Sequence, residues 1–213
     1  MIIQYSKFFD YLDLRLKSEL PSTKAHIKMV PFGDIQRLDM NIPREDAKKS
    51  AVLILINDKF ELLLTLRSHK LRNHSGQISF PGGRSENDET YEQTALRETE
   101  EEVGISRNKI KLIGRLSNIY VPPSNNIIQP VVGHVEDNLH LLPNPDEVEE
   151  AFYVPIDYFL DEKNIKVKKT EFGGKPYTYP YWDIHRNVPL WGATAIMMSE
   201  FIYLVNEFRE NNS

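Results

Sequence analysis

Residues 83–105 read GRSENDETYEQTALRETEEEVGI, and this is the most informative stretch of the chain. Between residues 90 and 103 there is neither glycine nor proline, and most of the residues there favour a helix. The Asn-Asp-Glu run at residues 87–89 supplies candidate caps and negative charge at the helix start, where the helix dipole favours it. Gly104 is placed to end the helix in a left-handed conformation. The sequence therefore predicts a capped helix over residues 90–103.

Glutamates gather on one face of this predicted helix. Glu101 and Glu102 follow Glu98 by three and four positions, so they flank it on the same face. Such like-charge pairs cost about 0.2–0.5 kcal/mol each on a bare helix, and a bound divalent cation would turn that repulsion into affinity. Oxygen ligands with no cysteine and no histidine pair favour Mg²⁺ or Mn²⁺ over Zn²⁺. A solvated acidic face is the alternative interpretation.

The spacing of the fixed residues in this stretch resembles the Nudix box, which is Gly, five residues, Glu, seven residues and then Arg-Glu-U-x-Glu-Glu-x-Gly-U, with U a bulky aliphatic residue. The matching residues are Gly83, Glu89, Arg97, Glu98, Glu101, Glu102, Gly104 and Ile105. Thr99 stands where the pattern has its first aliphatic residue. The resemblance implies an α/β/α sandwich with a mixed β-sheet and a metal-dependent hydrolase of diphosphate bonds. It also implies three metal ligands, Glu98, Glu101 and Glu102.

The same resemblance implies further roles in catalysis. Glu98 would also be the base that activates water, and Arg97 would hold a glutamate of the box in place. Glu89 would lie behind the ligands, at the start of the helix. Several Nudix enzymes use one more carboxylate from a later loop. The candidates for that carboxylate are Glu147, Glu149 and Glu150, and the sequence does not choose among them.

The segment just before the predicted helix resembles one branch of the family. Residues 62–83 read LLLTLRSHKLRNHSGQISFPGG, close to LLTxRSxxLRxHxGxxxFPGG of the coenzyme A diphosphatases. Its arginines are candidate bidentate phosphate partners, and its histidine could donate a hydrogen bond to an oxygen. Its glycine pair would let the backbone approach phosphate or metal. Solvated arginines, a packed histidine and a tight turn are the alternatives. The candidate substrate-binding residues are Arg67, Arg72, His74, Gly82 and Gly83.

Two later stretches also resemble this branch. They are YVPPSN at residues 120–125 and WGATA at residues 191–195. A tight loop and a packed helix start are the alternative interpretations of these two stretches.

The reaction that the resemblance implies is hydrolysis of coenzyme A, or its acyl or oxidised forms, to 3′,5′-ADP and 4′-phosphopantetheine. Another nucleoside diphosphate derivative stays open as the substrate, such as ADP-ribose, a nucleotide sugar or a dinucleoside polyphosphate. A non-catalytic module that senses such a ligand also stays open, because a fold does not fix a function.

Composition limits the classes of partner. The chain has 213 residues, 40% of them hydrophobic, a formal charge of −5 and a pI near 5.7. We expect no nucleic-acid partner, since no basic stripe is present. We expect no membrane partner either, since no apolar run approaches the length of a membrane helix. The absence of cysteine suits a reducing cytoplasm, which we predict as the location. A homodimer is compatible with the sequence.

Along the chain, apolar patterns and turn residues predict an α/β order. We predict a helical N-terminal extension over residues 1–48 and a Nudix domain over residues 49–213. The predicted helices cover residues 5–20, 90–103, 156–160 and 190–208, and a loop-rich stretch follows the first of them. The predicted strands cover residues 51–56, 60–66, 77–80, 111–121, 127–135, 147–154, 165–172 and 177–184, and the first two and the last two pair as hairpins.

Overall fold

Helices and strands alternate in the computed structural model, which describes residues 5–32, 42–71, 74–136 and 139–212. The helices are α1 (Tyr5–Arg15), α2 (Thr23–His26), α3 (Tyr91–Val103), α4 (Ile156–Leu160) and α5 (Gly192–Asn211). The strands are β1 (Lys48–Asn57), β2 (Glu61–Arg67), β3 (Ile78–Ser79), β4 (Gly82–Arg84), β5 (Lys111–Arg115), β6 (Ile119–Val121), β7 (Asn126–Val135), β8 (Val148–Pro155), β9 (Ile165–Phe172) and β10 (Lys175–Trp182). The α/β order that the sequence predicts is confirmed.

The main sheet is mixed. Its strands follow the order β3-β2-β1-β7-β5, while β4 also pairs with β1, β6 with β7 and β8 with β2. Strands β1 and β7 run parallel along their whole length, and the other pairs are antiparallel. The predicted hairpin of β1 and β2 is confirmed. Strands β9 and β10 form the second predicted hairpin, which is a separate two-stranded sheet.

Alternate residues of β1 separate two apolar layers, as the period of a strand requires. Val52, Ile54 and Ile56 pack with α1 and α5 on one face of the sheet. Ala51, Leu53 and Leu55 pack with α3 on the other face. The helices therefore cover both faces, which confirms the predicted α/β/α sandwich.

The N-terminal helix α1 belongs to the layer opposite α3. Phe8 and Leu12 are completely buried there. The Tyr11 hydroxyl and the Arg15 Nε each donate to Glu207 of α5, both at 2.6 Å. The helix ends at Arg15 rather than at residue 20, because the chain turns where the Arg15 side chain donates to the Glu19 carbonyl at 2.6 Å.

Two further differences from the prediction concern short segments. Helix α2 forms inside the stretch predicted to be loop-rich. The strand predicted over residues 111–121 is divided into β5 and β6, because regular pairing with β7 stops at Ser117, whose N–H donates to another segment. There, Leu116 N–H donates to the Pro130 carbonyl at 3.0 Å and Ser117 N–H donates to Glu200 at 3.0 Å.

Glu200 of α5 is a completely buried carboxylate that ties three segments together. It accepts from Ser22 N–H at 2.9 Å and from the Ser117 hydroxyl at 2.7 Å, and it lies 3.1 Å from the Nε2 of buried His26. Burial acts to raise the pKa of Glu200, but His26 and these donors offset it, so the pKa lies below its ordinary value. The segment around α2 is therefore fixed to α5 by a polar contact as well as by apolar packing.

No helix in the described part of the chain has the length and apolar character that a bilayer crossing requires.

Candidate active site

Helix α3 begins at a capping box. The Thr90 hydroxyl accepts from Gln93 N–H at 3.2 Å, and the Gln93 side chain accepts from Thr90 N–H at 2.8 Å. The prediction that residues 87–89 cap the helix was therefore wrong. The Glu89 carboxylate instead accepts hydrogen bonds from Arg97. Gly104 ends the helix with a φ of 73°, as predicted.

Thr99, the departure from the Nudix pattern, is completely buried in α3. Its hydroxyl donates to the Ala95 carbonyl one turn earlier, at 2.7 Å. Because the hydroxyl is satisfied within the helix, a threonine can occupy this apolar position without an unpaired polar group.

Arg97 binds several glutamates of the sequence motif. Its Nε and Nη2 donate to the two Glu89 oxygens at 2.8 and 3.0 Å. Its Nη1 donates to Glu98 and to Glu101, both at 3.0 Å, and its Nη2 also reaches the Arg84 carbonyl at 3.0 Å. Hydrogen bonds from Arg97 lower the pKa of Glu89 to about 2. The guanidinium thus fixes the position of the Glu98 carboxylate next to it.

An acidic cluster forms where α3 meets the loop before β8. Carboxylate oxygens of Glu98, Glu102 and Glu147 all lie within 4.8 Å of one another. Burial raises the pKa of Glu102, whose residue is 1% exposed, to about 8, and burial also raises the pKa of Glu98. Gly82 N–H donates to Glu102 at 3.1 Å, and the Arg67 Nη1 lies 3.4 Å from it.

The structure places the other candidate carboxylates outside the acidic cluster. The Glu101 side chain is 53% exposed and is held by Arg97. Glu149 lies 3.6 Å from His69, and Glu150 lies 3.3 Å from His185. Of the three later glutamates, the structure therefore brings Glu147 to the predicted ligands.

Two neighbouring segments hold the loop that carries Glu147. Asn144 N–H donates to the Glu102 carbonyl at 2.9 Å, which binds the loop to the last turn of α3. Ser68 N–H, just after β2, donates to the Glu147 carbonyl at 2.8 Å. Sequence spacing alone could not identify Glu147, because its position depends on these contacts between segments that are distant in sequence.

The glycine pair lies in β4, a strand that the sequence analysis missed. A Cβ on Gly82, whose φ is 151°, would overlap the Ala51 carbonyl of β1, so this glycine allows the two strands to pair. A Cβ on Gly83 would instead overlap the Glu98 carboxylate. Gly82 therefore allows β4 to pair with β1, and Gly83 leaves space for the Glu98 side chain.

We expect Gly83→Ala to lower activity by about tenfold to a hundredfold with little loss of stability, because the new methyl group must displace the Glu98 carboxylate. Steady-state kinetics and thermal unfolding would measure both effects. Gly82→Ala is the comparison variant. It should lower the melting temperature, because its new methyl group would overlap the backbone carbonyl of Ala51 in β1. Equal activity in Gly83→Ala and wild type would show that activity does not depend on where the Glu98 carboxylate lies.

The remaining predicted substrate-binding residues differ in their placement. Arg67 lies at the end of β2, directed at Glu102 and thus at the acidic cluster. His74 has a φ of 55°, is exposed, and its Nδ1 lies 3.0 Å from the Gln77 side chain. Arg72 lies outside the described residues.

A hard divalent cation fits the acidic cluster. The donor set consists of carboxylate oxygens from α3 and one loop, close enough together to share one ion. Mg²⁺ and Mn²⁺ prefer such oxygen ligands. Two of these carboxylates have raised pKa values, as expected for acidic groups gathered in a buried site.

Comparison with known proteins identifies similar chains. The NUDIX domain family matches residues 47–197. Nudix hydrolase 3 of Caenorhabditis elegans is 30% identical, covering 91% of this chain and 83% of its own length. The mitochondrial Nudix hydrolase 15 of Arabidopsis thaliana is 33% identical, covering 79% of this chain and 63% of its own. The peroxisomal coenzyme A diphosphatase NUDT7 of Mus musculus is 36% identical, covering 59% of this chain and 53% of its own.

Among solved structures, a similar fold occurs in RenU, a Nudix hydrolase from M. smegmatis. The TM-score is 0.53 at 17% sequence identity, and the match covers 76% of this chain and 87% of that one. This similarity supports the sandwich architecture.

Proposed function

The chain belongs to the Nudix hydrolase family, whose members act on nucleoside diphosphate derivatives, and on that premise we propose that it hydrolyses the diphosphate bond of coenzyme A. The observation that carries this proposal is the position of Arg67, which belongs to the sequence segment 62–83. This segment resembles the coenzyme A branch, and its Arg67 lies against Glu102 of the acidic cluster at 3.4 Å. A relative named as a coenzyme A diphosphatase supports the same substrate.

In the proposed mechanism, Glu98, Glu102 and Glu147 would hold Mg²⁺ or Mn²⁺. When bound, the cation would supply charge neutralisation and Lewis acidity to the diphosphate. Glu101 remains a proposed ligand, and it would have to turn away from Arg97 to reach the ion.

Side chains of the protein carry out proton transfer, positioning and substrate binding in this mechanism. Glu98 takes the proton of the attacking water as the general base. The oxygen of that water bonds to phosphorus, and the bond to the bridging oxygen breaks. Arg97 keeps Glu98 in position, while Arg67 donates to the diphosphate oxygens. We also propose Arg72, His74 and the glycine pair as substrate contacts on the resemblance of their segment.

A substrate panel tests the proposed function. With Mg²⁺ or Mn²⁺ present, we expect coenzyme A to yield 3′,5′-ADP and 4′-phosphopantetheine, identified by mass, while ADP-ribose and a nucleotide sugar remain intact. Preferential cleavage of one of the latter would show that another Nudix substrate is the correct one. Binding of all these ligands without turnover would instead favour a sensing module.

We further propose that residues 1–48 form an extension to the catalytic domain and that the enzyme acts in the cytoplasm. The start of the family match at residue 47 supports the first of these proposals. The absence of cysteine is compatible with the second.

A further inference from the structure

A cleft of about 440 Å³ opens beside the acidic cluster. Arg84 lines this cleft. It directly follows Gly83, which lies against the Glu98 carboxylate. Glu89 also lines the cleft, and Arg97 donates hydrogen bonds to both Glu89 and Glu98. A volume of several hundred Å³ is typical of small-molecule sites. The cleft is therefore adjacent to the place where the diphosphate would bind.

Cations without carboxylate partners line this cleft. Lys48 and Lys49 at the start of β1, and Arg84 in β4, are exposed and contribute to its walls. Within the described ranges, none of these side chains forms an ion pair. Three positive groups that share one small cleft repel one another, and an anion would relieve that repulsion.

Of the three carboxylates that line the same cleft, Glu89 is neutralised by a cation outside the lining. The Asp46 Oδ1 accepts from the Asn125 Nδ2 at 3.0 Å. Both Glu89 oxygens accept from Arg97, at 2.8 and 3.0 Å. Asp88 is the remaining acid in the lining, and it is exposed. The lining cations thus outnumber the carboxylates that could neutralise them.

The stretch at residues 120–125, which the proposed function does not use, supports one side of this cleft. The Asn125 carbonyl accepts from Lys48 N–H at 2.9 Å, and the Tyr120 hydroxyl donates to the Asn125 side chain at 2.9 Å. Asn125 itself adopts a left-handed conformation, with a φ of 48°. By binding both Asp46 and the backbone of Lys48, this loop positions the start of β1.

We propose that this cleft is the subsite for a phosphate monoester on the ribose of the substrate, which in coenzyme A is the 3′-phosphate, and that Lys49 and Arg84 are its principal ligands with Lys48 beside them. This inference rests on the proposed function. The ribose alone separates a 3′-phosphate from the 5′-diphosphate, so the subsite must border the acidic cluster, as this cleft does. A phosphate dianion is a strong acceptor for lysine and arginine side chains.

The Lys49→Ala/Arg84→Ala double variant tests the subsite. We expect the ratio of kcat/KM for coenzyme A to that for 3′-dephospho-coenzyme A to fall by about tenfold or more, because two charged contacts with the phosphate are lost. Lys109→Ala, at an exposed lysine between α3 and β5, is the control and should keep the wild-type ratio. An unchanged ratio in the double variant would overturn the proposal. A ratio that falls only in Arg72→Ala would assign the phosphate to the segment before β3 instead.

Equilibrium binding provides a test that does not need turnover. In calorimetry without a divalent cation, wild type should bind 3′,5′-ADP about tenfold more tightly than AMP, and the double variant should bind both alike. Equal affinities in wild type would reject the subsite even if coenzyme A is hydrolysed. If the substrate panel instead favours ADP-ribose, the proposed function fails. The affinities for 3′,5′-ADP and AMP would still test the subsite, because they do not depend on which substrate is hydrolysed.

Discussion

Glu102→Gln is expected to lower kcat by about 10³-fold or more and to leave the fold intact. The carboxylate is buried between Gly82 and Arg67 and shares the acidic cluster with two other glutamates. An amide of nearly the same shape keeps the packing but removes the negative charge that would bind a cation. Steady-state kinetics with saturating Mg²⁺ or Mn²⁺ would measure the loss.

The control for this variant lies on the same helix. Glu100 is a glutamate of α3 that pairs with Arg107 outside the acidic cluster, so Glu100→Gln should retain wild-type activity. Thermal unfolding gives a second measurement, since Mg²⁺ should raise the melting temperature of wild type but not of Glu102→Gln. Activity of Glu102→Gln close to that of wild type would contradict the proposed metal site.

The pH dependence of stability provides a related check on Glu102. Because burial raises its folded-state pKa from 4.5 to about 8, its contribution to stability is complete below 4.5 and is lost as the pH rises through 8. Without a divalent cation, Glu102→Gln should therefore be more stable than wild type at pH 9, and the difference should be smallest below pH 4.5, where the Glu102 carboxyl is protonated in both the folded and unfolded states.

Glu200→Ala is expected to reduce the free energy of unfolding by about 3–5 kcal/mol. The substitution leaves His26 without its carboxylate and removes the acceptor of the Ser22 and Ser117 donors, all in a buried site. Urea denaturation followed by circular dichroism would measure the change. Activity of the folded fraction should persist, because α5 lies on the face of the sheet opposite α3.

Two comparisons make this prediction specific. Glu207→Ala, which removes a partly exposed partner of Arg15 from the same helix, should cost about 1 kcal/mol. The pKa of Glu200 is lowered, so its stabilisation is present above 4.5 and is lost as the pH falls through the lowered value. A loss below about 1 kcal/mol in Glu200→Ala would show that this carboxylate does not secure the N-terminal segment.

Local rules predicted the catalytic helix well. Its length follows from a run without glycine or proline, and its end follows from Gly104, whose left-handed conformation the spacing indicates. The capping residue was misjudged because Glu89 has a carboxylate suited to capping, yet Arg97 binds it instead. A charged partner eight residues away cannot be weighed from local preference alone.

Contacts between distant segments account for the rest of what the sequence could not supply. The choice of Glu147 depends on where the loop before β8 meets α3 and Ser68. Strand β4 was missed because a glycine pair carries no strand signal, and its pairing with β1 depends on space that only Gly82 provides. Glu200 gave no sign of its role, since a glutamate within an apolar helix finds its partners only after α2 and Ser117 are in place.

The parallel pairing of β1 with β7 also bears on how fast the enzyme can fold. Residues 48–57 must find residues 126–135, and the chain between them contains the whole of α3 and strands β2 to β6. Closing so long a loop has an entropic cost before any contact repays it, and chains rich in such distant contacts refold slowly. The capping box and Gly104 are local signals that favour early formation of helix α3, before the distant strands pair. We therefore expect recovery of activity after denaturation to lag behind recovery of helical circular dichroism.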